Sequence, residues 1–380
     1  MIPIIRPALD ETEVAAAARV LNSGWITQGP EVAAFETEFA ALVGAPAACA
    51  VSSCTAALHL ALLAVGVRPG DEVITVSHSF IATANAVRHC QATPVFVDIL
   101  PDTYCMDPGQ LEMALSPRTR AILCVHQIGL PCDLNAILAF ARPRGIAVVE
   151  DAACAVGSEI LLEGAWGKIG GRGGDMACFS FHPRKILTTG DGGMITCQDP
   201  QQAARLKRLR QHGMGVPDTI RHHASEVIFE SYDEPGFNYR LTDLQAAIGR
   251  EQLKKLPYIL ERRRQLAQNY RRLLSAIPGA TPPGEPPWAH SNFQSYCVRL
   301  PPGTDQKKVM QSLLDHGISS RRGVMCAHLE PACADLPRRL PLPQSERARD
   351  ETILLPLYHE LEPSTQERII EILRAACTRQ

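Results

Sequence analysis

The sequence lacks an excess of charge of either sign and has no long apolar run. Lys plus Arg number 38 against 40 Asp plus Glu, a formal net charge of −2. Such balance argues against general binding to the phosphate backbone of nucleic acid. The longest apolar stretches, such as Ala56 to Val67, fall short of the roughly 20 residues that a membrane-spanning helix needs. The opening residues, MIPIIRPALDETE, carry neither the basic region nor the apolar run of a secretion signal, so a cytoplasmic location is expected. There are 13 cysteines, yet no two are spaced Cys-x-x-Cys, which removes the usual zinc and iron–sulfur patterns. Most lie in apolar runs and read as small buried thiols in a reducing compartment. No internal repeat and no low-complexity segment is present. No metal, nucleic-acid or membrane partner is therefore expected.

What is present is ample core material: 380 residues, 46% hydrophobic and 21% charged, enough for two domains of roughly 150 residues each. A helix is predicted over Glu11–Leu21. From about residue 30 to 200, apolar β-rich runs alternate with helical patterns. Ala47–Val51, Glu72–Val76, Pro94–Val97, Ala121–Val125 and Ile146–Val149 read as buried strands. Cys54–Val65, Ala82–Cys90, Pro108–Leu115 and Asp133–Arg142 read as helices. This alternation predicts an α/β fold with a mostly parallel sheet, whose ligands bind beyond the carboxyl ends of the strands. A long helix is predicted from Leu241 to about Leu274, with Arg262, Arg263 and Arg264 forming a solvated face, or in second place an interface. A Pro-rich loop follows (Thr281–Trp288), then a strand (Asn292–Leu300) and helices over Gln306–His316 and Ser364–Ala376.

Four constellations carry chemistry. In Val51-Ser-Ser-Cys-Thr-Ala56 a strand gives way to small hydroxyl residues and a helix, whose free N–H groups suit a phosphate; ordinary N-capping is the alternative. In Ile146-Ala-Val-Val-Glu-Asp151 an apolar strand carries Asp151 to its end, where it could hold a proton on a heterocyclic nitrogen, bind a metal or cap a helix. In Phe181-His-Pro-Arg-Lys-Ile-Leu-Thr-Thr-Gly-Asp-Gly-Gly193, Lys185 sits between strands among hydroxyls and glycines. Desolvation there is expected to lower its pKa and make it nucleophilic. In Gly236-Phe-Asn-Tyr-Arg-Leu-Thr-Asp243, Asn238 and Arg240 could reach a ligand or a partner subunit, while Thr242 or Asp243 could cap the helix. A phosphate cradle, a strand-end carboxylate and a lysine together fit pyridoxal phosphate. Phe80, at the start of a helix, could stack on its ring or sit in the core.

In this order the motifs resemble the DegT/DnrJ/StrS family of sugar aminotransferases over nearly the whole chain. The resemblance rests on Ser23–Pro30, Ser53–Leu58, Phe96–Asp98, Val125–His126 and Glu150–Ala153. It continues through Phe179–Phe181, Thr189–Gly193, Asn238–Arg240, Gln245–Ala247 and Leu355–Tyr358. It implies an aspartate-aminotransferase-like fold of type I: a large domain over residues 1–245, with a mostly parallel seven-stranded sheet, and a smaller C-terminal α/β domain over 246–380. It implies that Lys185 links covalently to pyridoxal 5′-phosphate and that Asp151 pairs with the pyridinium nitrogen. Phe80 would stack on the ring. Cys54 (through its backbone), Thr55 and Ser180 would bind the phosphate, together with Asn238 from the other subunit of a homodimer. Cys154 stands where the family often has Gln or His against the ring hydroxyl, and Asp191 where Glu is frequent. The glycine-rich stretch Leu161–Gly174, with Trp166, is longer than the usual connection and either reshapes the substrate mouth or lies on the surface. Trp25, Thr27, His182, Arg240 and His328 are weaker substrate candidates, each with a packing alternative. The implied reaction moves an amino group from L-glutamate to a keto-deoxysugar linked to a nucleotide, in amino-sugar and polysaccharide biosynthesis. Rival expectations are a keto-cyclitol or free-sugar acceptor, a deoxysugar dehydratase (whose family members carry His in place of the lysine) and a non-catalytic regulator.

Overall fold

The structure, a computed structural model, describes residues 1–216 and 224–378. Helix α1 (Glu11–Ser23) starts at a capping box between Asp10 and Glu13 and stops at Gly24, which takes up the left-handed conformation. Helix α2 (Pro30–Val43) follows a glycine that offers no side-chain cap. Asp243 supplies one from far along the chain, accepting the N–H groups of Gly29 (2.7 Å), Glu31 (3.2 Å) and Val32 (2.9 Å).

The alternation read from the sequence then unfolds as β1 (Ala47–Val51), α3 (Cys54–Ala64), β2 (Glu72–Val76), α4 (Ala82–His89) and β3 (Thr93–Val97). The helix expected over residues 108–115 is instead a 3₁₀ turn, Pro108–Gln110, followed by a single α-turn, α5 (Leu111–Ala114); the proline rigidifies its start. Next come β4 (Thr119–Val125), α6 (Leu134–Ala141) and β5 (Ala147–Asp151), so Glu150 and Asp151 are the last residues of a strand. After β6 (Glu159–Leu162) and β7 (Ala165–Lys168) the sheet is completed by β8 (Met176–Ser180) and β9 (Gly193–Cys197). The seven strands run in the order β1-β9-β8-β5-β4-β2-β3. Only β9 opposes its neighbours; the other pairings are parallel. Apolar side chains on both faces, such as Val73 and Ile74 on β2, are fully buried, as a sheet covered on both sides requires.

The stretch Leu161–Gly174 contributes the end of β6 and all of β7, which pair as a hairpin. It is joined by β10 (Ala289–His290), with Trp166 stacked on His290 at 4.3 Å between ring centroids. Helix α7 (Pro200–Leu209) packs on β1 and β9. The long helix α8 (Asp243–Leu274) begins with a capping box between Thr242 and Gln245. It packs on α1 and α2, and farther along on the C-terminal helix. The C-terminal unit holds β11 (Tyr296–Arg299), α9 (Gln306–Asp315), β12 (Arg321–Arg322), α10 (Pro343–Glu351), β13 (Thr352–Leu355) and α11 (Pro363–Thr378). Its three strands lie in the order β11-β13-β12 over a core that includes Tyr270, Val298, Leu313 and Ile369.

The arginine triplet on α8 is not the solvated face expected of it. Arg263 is buried and donates to the carbonyls of Phe293 (2.9 Å), Leu357 (3.0 Å) and Gln294 (2.7 Å). Arg262 reaches the carbonyls of His359 and Leu361, and Arg264 those of Ser291 and Gly157. Burial lowers the pKa of Arg263 to about 9. The triplet fastens the helix to the loops beside the C-terminal unit, because a guanidinium can satisfy several carbonyls at once.

Candidate active site

A cleft of about 710 Å³ opens between the carboxyl ends of the central strands and the C-terminal unit. Its wall on one side is the turn from β1 into α3. The first N–H groups of a helix have no intrahelical partner. Here the Ser53 hydroxyl accepts from Ala56 N–H at 3.2 Å and the Ser53 carbonyl from Ala57 N–H at 3.0 Å. The N–H groups of Cys54 and Thr55 remain at the cleft wall, where the helix dipole favours an anion. Burial, then Asp151, pushes the Cys54 thiol well above its usual range, so it stays neutral. Gly193 explains part of the Gly-Asp-Gly-Gly motif. A Cβ there would lie 2.6 Å from the carbonyl of Ser53 and 2.8 Å from Cys54 N. Only glycine lets β9 pass directly behind this turn.

Opposite, β5 delivers Asp151, buried, to the cleft. Its Oδ2 accepts from Thr83 Oγ1 at 2.7 Å and its Oδ1 from Ala153 N–H at 3.2 Å. Ser79 Oγ and Thr83 Oγ lie 2.7 Å apart. Since Thr83 gives its one proton to Asp151, Ser79 is the donor between them. Sequence reasoning missed these two hydroxyls; the signal was their position on either side of Phe80. Phe80, 65% exposed, presents its ring to the same cleft. Behind Asp151, buried His126 accepts at Nδ1 from Cys132 N–H (3.1 Å), and its Nε2 meets Glu150 at 2.7 Å. The N–H of His126 in turn donates to the carbonyl of Asp151 at 3.1 Å.

Lys185 enters from the loop between β8 and β9, and Nζ lies 3.0 Å from Cys154 Sγ. The expectation of a lowered pKa is corrected. Burial does oppose the charge, but the Cys154 sulfur beside the amine and the Asp151 carboxylate outweigh it and raise Lys185 above its usual value. Ser180 ends β8 beside this loop and also lines the cleft. His182 lies there too, its pKa lowered by burial and by Arg184. Arg184, Arg321 and Arg322 bring positive charge to the mouth. Burial and neighbouring Arg184 lower Arg321.

Several candidates stand elsewhere. Asn238 is exposed, its backbone bridged to Gln211, and Arg240 is bridged to Val51; neither lines the cleft of its own chain. Trp25 covers Gly29 and donates to Gln28 O (3.1 Å), while exposed Thr27 accepts at its carbonyl from Asp243 N–H (3.1 Å). His328 is buried between Ser77 Oγ (2.5 Å) and Glu346 Oε1 (3.0 Å). For Trp25 and His328 the packing alternative fits the structure. Trp166 belongs to the small β6–β7–β10 sheet, outside the cleft.

An amine, a carboxylate, an aromatic face and an open helix N-terminus around one cleft fit pyridoxal phosphate. The sequence matches the DegT/DnrJ/EryC1/StrS aminotransferase family over residues 7–374. Solved structures agree. The aminotransferase TlmJ from Streptoalloteichus hindustanus is 36% identical with a TM-score of 0.88, over 100% of this chain and 99% of that one. Spr1654 from Streptococcus pneumoniae, in its PMP-form, is 27% identical with a TM-score of 0.93 over 100% of both chains. DesI, solved in the presence of its TDP-sugar product, is 30% identical with a TM-score of 0.87, over 98% of this chain and 92% of that one. Lys185 and Asp151 thus stand in a fold of type I that family and neighbours share, and the chain belongs to the DegT/DnrJ/EryC1/StrS aminotransferases, pyridoxal-phosphate-dependent enzymes acting on sugars.

Proposed function

We propose that this enzyme moves an amino group from L-glutamate to a keto-deoxysugar carried on a nucleoside diphosphate, and that it works as a cytoplasmic homodimer. The observation that carries the reading is the convergence of Lys185 and Asp151 on one cleft whose mouth holds Arg184, Arg321 and Arg322. A donor with two carboxylates and an acceptor with two phosphates are both anions suited to that mouth. DesI, solved in the presence of its TDP-sugar product, is similar to this chain along almost its whole length. Exposed Asn238 lies outside its own cleft, as a residue lent to a partner's site would.

When bound, pyridoxal phosphate supplies the electron sink for a carbanion at the amino-bearing carbon. Lys185 Nζ, at the cleft beside Cys154, would hold the cofactor covalently between turnovers. Once free, Nζ would take the proton from the donor's α-carbon and pass it to the cofactor's C4′, and in the second half of the cycle would carry a proton from C4′ to the sugar carbon that receives nitrogen. Asp151 keeps a proton on the ring nitrogen, with Thr83 and Ala153 N–H fixing its two oxygens. Cys54 and Thr55 N–H and Ser180 hold the phosphate, and Phe80 covers a ring face. Retention of lysine at position 185 favours amino transfer over dehydration.

The test is to load purified protein with cofactor, add L-glutamate, and follow loss of the visible band of the lysine-bound cofactor. Nucleotide-linked 4-keto and 3-keto sugars are then added to restore it. Glutamate that leaves the band unchanged, or return with free sugars but with no nucleotide-linked sugar, refutes the reading. Lys185→Ala is expected to bind cofactor without a covalent link and to lose turnover.

A further inference from the structure

We infer that Gln294 is a positioning residue for Lys185. The inference rests on the proposed covalent role of that lysine and goes beyond it. Gln294 comes from the segment leading into β11, far from Lys185 in sequence, and is 5% exposed. Its Nε2 donates to the carbonyl of Arg184 at 2.7 Å, and its Oε1 accepts from Ile186 N–H at 3.0 Å. One side chain therefore grips the backbone on both sides of Lys185. The amide orientation is fixed by its partners, since a carbonyl can only accept and an N–H can only donate.

Gln294 is itself held. Its N–H donates to Asn292 Oδ1 at 2.8 Å, and its carbonyl accepts from buried Arg263 Nη2 at 2.7 Å. Asn292 in turn donates through Nδ2 to the carbonyls of Cys154 (2.8 Å) and Val156 (2.9 Å). The same short segment thus fixes the stem of Lys185 and the backbone of the residue whose sulfur meets its amine. The loop carrying Lys185 follows Pro183 and precedes Gly190, Gly192 and Gly193, so it has little regular structure of its own to hold it. A lysine that must reach one carbon, leave it and then move protons needs a fixed anchor. A displacement of about 1 Å at a reacting group can cost on the order of a hundredfold in rate.

The test is the rate at which cofactor-free protein captures pyridoxal 5′-phosphate covalently, followed by stopped-flow absorbance and located by borohydride reduction and peptide mapping. Gln294→Met, close in length and unable to make either bond, is expected to capture on Lys185 about tenfold more slowly. Gln294→Glu, which keeps an acceptor for Ile186 N–H, is expected to fall between Met and the native residue. In the Lys185→Ala background, Gln294→Met is expected to leave non-covalent cofactor affinity unchanged, because the phosphate and ring contacts lie elsewhere. Native capture rates in both single variants overturn the inference alone. So does equal loss of affinity in the Lys185→Ala background, since the glutamine would then support the whole site. A reduced label found away from Lys185 in the native protein overturns the inference together with the assignment of the lysine.

Discussion

Replacing Gly193 with alanine perturbs the phosphate end of the site through one methyl group. Gly193 lies on β9 opposite Val51 of β1 and Ser180 of β8. Its φ is not in the left-handed region, so alanine meets a problem of space alone. The new Cβ would stand 2.6 Å from Ser53 O and C and 2.8 Å from Cys54 N. These are backbone atoms and cannot rotate aside. Restoring ordinary contact at 3.4 Å means moving the turn by 0.8 Å, the difference between the two distances. That is enough to spoil hydrogen bonds from Cys54 and Thr55 N–H to a phosphate. Overpacking of this kind costs about 1–3 kcal/mol of stability. Losing one hydrogen bond to a charged group costs about 1.5–3 kcal/mol, a roughly tenfold to hundredfold loss in affinity. Titration of cofactor-free protein with pyridoxal 5′-phosphate reads the second quantity, and urea denaturation of the same samples reads the first. A Gly193→Ala protein that binds cofactor within about twofold of native, or about 0.4 kcal/mol, refutes the placement of the phosphate at the start of α3.

Two further outcomes follow from charge. Lys185 must lose its proton before it attacks an aldehyde, and Cys154 is the foremost of the groups raising its pKa. Cys154→Ala is therefore expected to shift the pH midpoint of covalent cofactor capture downward; an unmoved or higher midpoint contradicts the role given to the sulfur. Burial would push Glu36 up, but Arg210 and Lys207 outweigh it and hold its carboxyl below the usual value. A depressed folded value contributes stability above the unfolded pKa of roughly 4.3 and loses it as pH falls through the folded value. Glu36→Ala leaves Arg210 buried without its counter-ion, at a cost of about 3–5 kcal/mol near neutral pH. Urea denaturation at several pH values should also show a shallower acid loss in this variant than in the native protein.

The central strands were legible because each is a short apolar run that must be buried on both faces. Lys185, Asp151 and the Ser53–Thr55 turn were legible because their residue types stand out immediately after such strands. What the sequence hid depends on distant partners. Helix α2 has no local N-terminal signal, since its cap comes from Asp243, 214 residues beyond Gly29. Arg262–Arg264 read as a polar face until the carbonyls of three separate segments are seen to converge on them. The β6–β7 hairpin gains its third strand from residues 289–290. His328 lies in a segment rich in site-like residues but is consumed by Ser77 and Glu346. The direction of the Lys185 shift was misjudged because burial was weighed without the sulfur beside it.

Reduction of the cofactor-loaded protein with borohydride, followed by proteolysis and mass spectrometry, tests the central claim most directly. The account predicts one pyridoxyl-modified peptide, with the modification on Lys185. Modification of any other lysine, or none after loading with pyridoxal 5′-phosphate, would contradict it.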